Sequence, residues 1–287
     1  LRLAYAGQVV RVKGSQLRPE RQFGQVGAEL IGASGPAADV EVVLMAVEAL
    51  ESVGAQNLSV DLGLPTLAAF VVQDCTFTNE QAQDLRTALN RKDSAGVAAL
   101  GDVLGERPTA ALLTMLDAVG PAGAALKKLN TIDLDSDAAA LRAHLAAVSS
   151  GILSANPRIQ LTIDPVENRG FEYHSGVTFA LFARGVTGEL GRGGRYEAGG
   201  VGELESATGF TLFMDAVLEV LPESEGRKRI YLPMGTPADD ARKLRSEGWC
   251  TIAALDKAPT TSNDVEAEAR RLNCTHMLEI GTVRDLN

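Results

Sequence analysis

The chain has 287 residues, 45% hydrophobic, 22% charged and 5% aromatic, a composition ordinary for a globular protein with one large domain or a large and a small one. Lys and Arg number 27 against 37 Asp and Glu, a formal net charge of -10, which argues against a partner held mainly through phosphates and leaves room only for local anion binding. Three scattered cysteines (Cys75, Cys250, Cys274) and three histidines (His144, His174, His276) assemble no zinc spacing, so no metal is expected and a reducing, cytoplasmic setting fits. No apolar run reads as long enough to cross a bilayer and no signal peptide opens the chain. Leu1 begins what reads as a strand in mid-sheet, so a preceding segment is expected.

In chain order, residues 3–12 and 26–31 read as two strands joined by a long charged loop. Asp39 to Val53 carries Val40, Val43, Leu44, Val47 and Leu50 at helical spacing, with Gly54 as a stop. The stretch Asn57–Gly63 gives another strand. Thr78 and Gln81 form a capping-box pattern, and from there to Gly151 the sequence is Ala- and Leu-rich, broken at Gly101, Pro108, Gly120 and Gly123. Residues 76–151 therefore read as an all-helical insertion, a lobe separable from the sheet.

Strand signals return at residues 158–164, where Ile159, Leu161 and Ile163 alternate with polar neighbours, and again over Phe171–Gly185. The glycine-dense run Gly188–Gly200 reads as tight turns between strands, because neither a P-loop nor a dinucleotide fingerprint is present and no cofactor is implied. Residues 207–221 read as a strand running into a helix. Past the polar linker 222–226 the pattern strand Arg229–Leu232, helix Pro237–Glu247, strand Trp249–Ala254, helix Val265–Leu272, strand Thr275–Ile280 describes a small α/β module. The fold class is α+β: an antiparallel sheet flanked by helices and divided as 1–75, a helical insertion 76–151, a second part of the sheet 152–222, and a small α/β domain 227–287.

Two polar constellations carry the chemistry. Arg11 stands where the first strand ends, and Gln25 and Glu29 sit on the returning strand an even number of residues apart, so those two share a face. A guanidinium, an amide and a carboxylate facing one way suit an amino acid or a phosphate; a solvated hairpin with cross-strand ion pairs has the same spacing. The second is Arg169-Gly-Phe-Glu-Tyr173-His174-Ser-Gly176, dense in polar groups and bounded by glycines.

Taken in order, these segments resemble the histidyl-tRNA synthetases. Tyr5–Gly32 is similar to their motif 2, with its strand arginine and returning RQF-x-Q-x-G-x-E pattern. Residues 169–176 (RGFEYHSG) resemble the histidine-binding signature Arg-Gly-Leu-Asp-Tyr-Tyr-x-Gly, residues 193–200 (GGRYEAGG) resemble Gly-Gly-Arg-Tyr-Asp-Gly, and residues 207–221 take the place of class II motif 3. The resemblance covers residues 3–221 and implies a class II synthetase-like fold. It also implies that Gln25 and Glu29 meet the α-amino group and imidazole of histidine, that Arg169 faces the carboxylate, and that Tyr173, His174 and Tyr196 line the imidazole. His174 stands where the synthetases have a second tyrosine.

The departures shape the functional expectation. Motif 3 of the synthetases places an arginine on the helix to hold the ATP phosphates, and Asp215-Ala216 stands here; Lys13 replaces a motif 2 glutamate. An amino-acid pocket without that phosphate clamp resembles the regulatory subunits of ATP phosphoribosyltransferase, synthetase-like relatives of the enzyme. That resemblance implies a non-catalytic subunit, a homodimer within a hetero-oligomer with the short catalytic subunit, needed for the first step of histidine biosynthesis and for feedback inhibition by histidine, with no tRNA and no membrane as partner. The alternatives are a histidyl-tRNA synthetase or a tRNA-sensing synthetase-like module.

Overall fold

The computed structural model describes residues 1–10, 12, 21–167, 174–199, 204–222, 226–255 and 262–286, with the side chains of 262 and 263 outside that set. Two compact units divide the chain, Leu1–Pro222 and Glu223–Asn287.

The first unit opens with the antiparallel pair β1 (Arg2–Val10) and β2 (Gln22–Ile31), followed by helix α1 (Pro36–Ser52). Pro36 enters α1 where its missing N–H costs nothing, and Val42, Val43, Ala46, Val47 and Leu50 form the buried stripe. Then come β3 (Leu58–Gly63), α2 (Pro65–Val71), α3 (Asn79–Asn90), α4 (Ser94–Ala99), α5 (Gly101–Leu104), α6 (Glu106–Asp117), the two-residue β4 (Gly120–Pro121), α7 (Ala122–Leu129) and α8 (Ser136–Ala155). The capping box forms as the sequence predicts: Gln81 N–H donates to Thr78 Oγ1 at 3.2 Å and Thr78 N–H to Gln81 Oε1 at 2.9 Å. The sheet resumes with β5 (Gln160–Asp164), β6 (His174–Ala183), β7 (Gly191–Ala198) and β8 (Glu205–Phe213), and α9 (Met214–Val220) follows β8 without a turn.

The strand order is β1-β2-β8-β7-β6-β3-β5-β4, antiparallel throughout except for the parallel pair β3 and β5. Leu30 and Ala28 of β2 pack into the apolar core with α1, so the even-numbered face of β2 is covered and Gln25, Gly27 and Glu29 face the other way.

Three expectations are corrected. The glycine-dense run is not a set of turns: Gly191–Ala198 is the strand between β6 and β8. Its glycines serve close packing, since a Cβ on Gly193 would strike the backbone carbonyl of Gly209 and stand 2.8 Å from Cε1 of the Phe179 ring. The helical stretch 76–151 is not a lobe apart: Gly120–Pro121 pairs with β5, and Leu112, Met115, Leu129 and Leu145 share one continuous core with Val60, Leu62 and Leu181 of the sheet. An amphipathic helix buries its stripe against whatever apolar surface is offered, and its sequence does not say which. Finally, α8 is 20 residues with a mean hydropathy of 1.2, long and apolar enough by length and composition to cross a membrane, although no such run was expected. Here Leu145, Val148 and Ile152 of that helix are buried within the core.

The second unit comprises β9 (Arg229–Leu232), α10 (Ala238–Ser246), β10 (Cys250–Ala253), α11 (Ser262–Arg271), β11 (His276–Glu279) and β12 (Thr282–Asp285). The order β10-β9-β11-β12 is parallel over its first three strands, with β12 added as a hairpin through Ile280 and Gly281, both at positive φ (46° and 77°). That last strand escaped the sequence reading because Ile280 is a poor marker for a turn that needs positive φ.

Candidate functional site

The outward face of β2, β8 and β7 forms the floor of an open cavity of about 290 Å³, lined among others by Phe23, Gln25, Glu29, His174, Arg192, Tyr196, Thr211 and Phe213. The register explains the grouping. Gln25 lies opposite Phe213; Gly27 opposite Thr211, which faces Arg192; Glu29 opposite Gly209, which faces Gly194. Side chains that alternate along three neighbouring strands thus arrive on one surface.

Glu29 crosses β8 where Gly209 has no side chain, and Tyr196 Oη donates to its Oε2 at 2.9 Å. Burial pushes the Glu29 carboxyl above the ordinary carboxylate range, and the Tyr196 hydrogen bond partly offsets that rise. Tyr5 lies over Gly27, its hydroxyl 2.5 Å from Thr211 Oγ1 and donating to the Phe210 carbonyl at 3.3 Å; burial raises its phenol pKa, with the nearby Glu29 charge adding to the rise. At the other end, Phe23 meets Phe213 edge-on with centroids 6.0 Å apart, and the Arg192 guanidinium lies 5.5 Å from the Phe213 centroid. One end of the cavity is therefore a carboxylate with a phenol, and the other an aromatic pair with a cation.

Four of the residues expected from sequence, Gln25, Glu29, His174 and Tyr196, come together in this cavity. Arg11, Arg169 and Tyr173, together with Lys13, lie outside the described residues. Sequence reasoning missed Tyr5, Thr211, Phe213 and Arg192. For Arg192 a signal existed, since it precedes Tyr196 by four residues and shares its face once the run is read as a strand.

Behind the same strand, Arg195 points the other way. Its Nε and Nη2 donate to Asp39 Oδ2 at 3.1 and 2.9 Å, and its Nη1 and Nη2 to the carbonyls of Ala33 and Gly35 at 2.9 and 3.2 Å. His144 Nε2 of α8 stands 2.6 Å from the same Asp39 oxygen. This buried cluster locks α1 and α8 to the back of the strand that carries Tyr196. Ala216, on α9 beside the cavity strand β8, is an apolar side chain packed against the core and offers no charge to a phosphate.

Sheet, helices and an amino-acid-sized cavity define a chain of the histidyl-tRNA synthetase class of folds, and a family model described as Histidyl-tRNA synthetase matches residues 1–217. The ATP phosphoribosyltransferase regulatory subunit of Rhodospirillum centenum is 49% identical over 286 residues, covering 100% of this chain and 72% of that protein. A solved ATP phosphoribosyltransferase regulatory subunit/histidyl-tRNA synthetase from Bacillus halodurans superposes with a TM-score of 0.73 at 21% identity, over 94% of this chain and 71% of that one. A chain of the ATP phosphoribosyl transferase (HisG:HisZ) complex from Thermotoga maritima superposes with a TM-score of 0.60 at 18% identity, over 75% and 73%. This chain belongs to the family of ATP phosphoribosyltransferase regulatory subunits.

Proposed function

We propose that the chain is the non-catalytic partner of the short ATP phosphoribosyltransferase catalytic subunit, binds free histidine in the cavity above β2, β8 and β7, and transmits that occupancy as feedback inhibition of the first step of histidine biosynthesis. The observation that carries the reading is the Glu29–Tyr196 pair, a half-buried carboxylate held by a phenol at the end of an amino-acid-sized cavity, next to a helix with Ala216 where an adenylating enzyme needs a cation. A carboxylate so placed accepts an imidazole N–H and favours a partly cationic ring. Gln25 supplies an amide to the α-amino group, and His174 and Tyr196 flank the ring. The family resemblance assigns carboxylate and ring contacts to Arg169 and Tyr173, and Arg11 is an anion contact in this reading.

Support for the partnership comes from the names of the relatives and from the Thermotoga maritima complex, in which a chain of this fold is part of an ATP phosphoribosyl transferase assembly. In this reading the chain works in the cytoplasm as a homodimer inside a hetero-oligomer and does not bind tRNA. Regulation follows from linkage: histidine that binds one state of the complex more tightly shifts the population toward that state.

Calorimetric titration with histidine, paired with an assay of histidine-dependent ATP–pyrophosphate exchange, tests the proposal. Saturable histidine binding without exchange is expected. Exchange above background, or no histidine binding in the chain or in its complex with the catalytic subunit, would overturn it.

A further inference from the structure

Arg192 has no counterpart among the motif residues that carry the family resemblance, yet it lines two adjoining cavities. One is the larger cavity already described; the other, about 40 Å³, is lined by Asp61, Glu167, Thr178 and His174 among others. Its guanidinium is fixed from two sides. Nη2 is 3.2 Å from Glu189 Oε1, with the side chains 25% and 12% exposed, and the plane lies against Phe213, its centre 5.5 Å from the ring centroid. A planar fork held in this way is set in position before a ligand arrives, so little rotamer entropy is lost on binding.

The charges around it decide what it meets. Among the described lining residues of both cavities, Glu29, Asp61 and Glu167 are acidic and Arg192 is the permanent cation. An anionic group entering this space is repelled by the carboxylates and finds a complementary partner at Arg192. Along β7, Arg192 is one strand repeat from Gly194, the residue in register with Gly209 and Glu29, about 6.6 Å along the strand. That offset is comparable with the length of one amino-acid ligand laid from ring to carboxylate.

We infer that Arg192 is the specificity-determining cation among the described residues of the cavity: beside the contact that the family resemblance gives Arg169, it binds the α-carboxylate of the amino-acid ligand while Glu29 and Tyr196 hold the imidazole end, so the site rejects imidazole compounds that lack a carboxylate. The inference rests on the reading of the cavity as a histidine site and adds to it the means by which histidine is told from its decarboxylated and reduced relatives. The Glu189–Arg192 pair becomes a carboxylate–guanidinium–carboxylate bridge when ligand is bound, with Arg192 shared between the two.

The test is calorimetric titration of the full chain with histidine, histidinol and histamine, for the wild type, Arg192→Ala and Arg192→Lys, with thermal unfolding of each to show that it folds. The wild type is expected to prefer histidine to histidinol by roughly 10- to 100-fold, the size of a charge-assisted hydrogen-bonded pair. In Arg192→Ala that preference collapses because histidine weakens while histidinol and histamine stay within about twofold. Arg192→Lys, which keeps the charge and loses the fork, retains an intermediate preference. Undiminished preference for histidine in a folded Arg192→Ala overturns this inference and leaves the histidine site standing, as does equal weakening of all three ligands. A wild type that binds none of them overturns the histidine site and the inference together.

Discussion

Tyr196 on β7 donates its hydroxyl to Glu29 on β2, 2.9 Å away and with a whole strand between them, because the residue of β8 beneath the contact is Gly209. A Cβ at position 209 would collide with the Glu29 carboxylate and stand 2.8 Å from the Ala28 carbonyl. The side-chain clash could be relieved by moving Glu29; the backbone clash could not. Gly209→Ala is therefore expected to displace Glu29, weaken histidine binding at least about 10-fold and lower stability by about 1–3 kcal/mol, the range for overpacking. Titration and denaturant unfolding of the variant check both halves, and unchanged affinity would show that Glu29 does not touch the ligand.

The raised pKa of Glu29 sets a pH dependence of stability. The folded chain holds this proton to higher pH than the unfolded chain does, so the stabilisation is complete below the ordinary carboxylate pKa near 4.3 and is lost as pH rises through the folded value. At neutral pH the ionised, half-buried carboxylate is a net cost. Glu29→Gln should raise the melting temperature near pH 7, with the gain shrinking toward pH 4, while histidine binding is lost. Tyr196→Phe removes the hydrogen bond that favours the ionised form, so it should push the Glu29 transition higher. Melting-temperature differences that do not vary with pH would contradict this assignment.

Arg195 and Asp39 are 6% and 2% exposed, so neither charge has water as an alternative partner. Removing Arg195 takes the guanidinium from a buried carboxylate and leaves His144 beside it, and Arg195→Ala should cost about 3–5 kcal/mol. Replacing the pair together with apolar residues of similar volume should recover much of that loss. His144→Ala should cost less, because the imidazole is 22% exposed and water can take its place. Urea unfolding of the three variants separates these values; a loss below about 1 kcal/mol in Arg195→Ala would show that the cluster relaxes on mutation.

Excising residues 76–151 should unfold the first unit. Leu112, Met115, Leu129, Leu145 and Val148 are fully buried and share their core with the sheet, and β4 caps the edge at β5. The shortened chain should lose its cooperative thermal transition and collect in the insoluble fraction. A soluble product with a sharp transition would restore the picture of an independent lobe.

Much of this protein is written locally. The capping box at Thr78, the helix read over Asp39–Val53, the strand alternation at 159–163 and the short α/β module after residue 226 all follow from periodicity and terminal chemistry, which act within a few residues. The even spacing of Gln25 and Glu29 placed them on one face before any partner strand was known. What the chain could not state locally was which surfaces meet. Read alone, a run such as Gly191–Gly194 signals turns; only the strands on either side of it, with the Phe179 ring and the Gly209 carbonyl pressed close, make glycine the residue a central strand requires there. The same pairing carries Arg192 and Tyr196 to the cavity and sends Arg195 behind it, and it fuses helices that read as a separate lobe into the core of the sheet. Contacts between residues far apart in sequence depend on register and on which apolar faces find each other, and those are properties of the assembled sheet rather than of any segment within it.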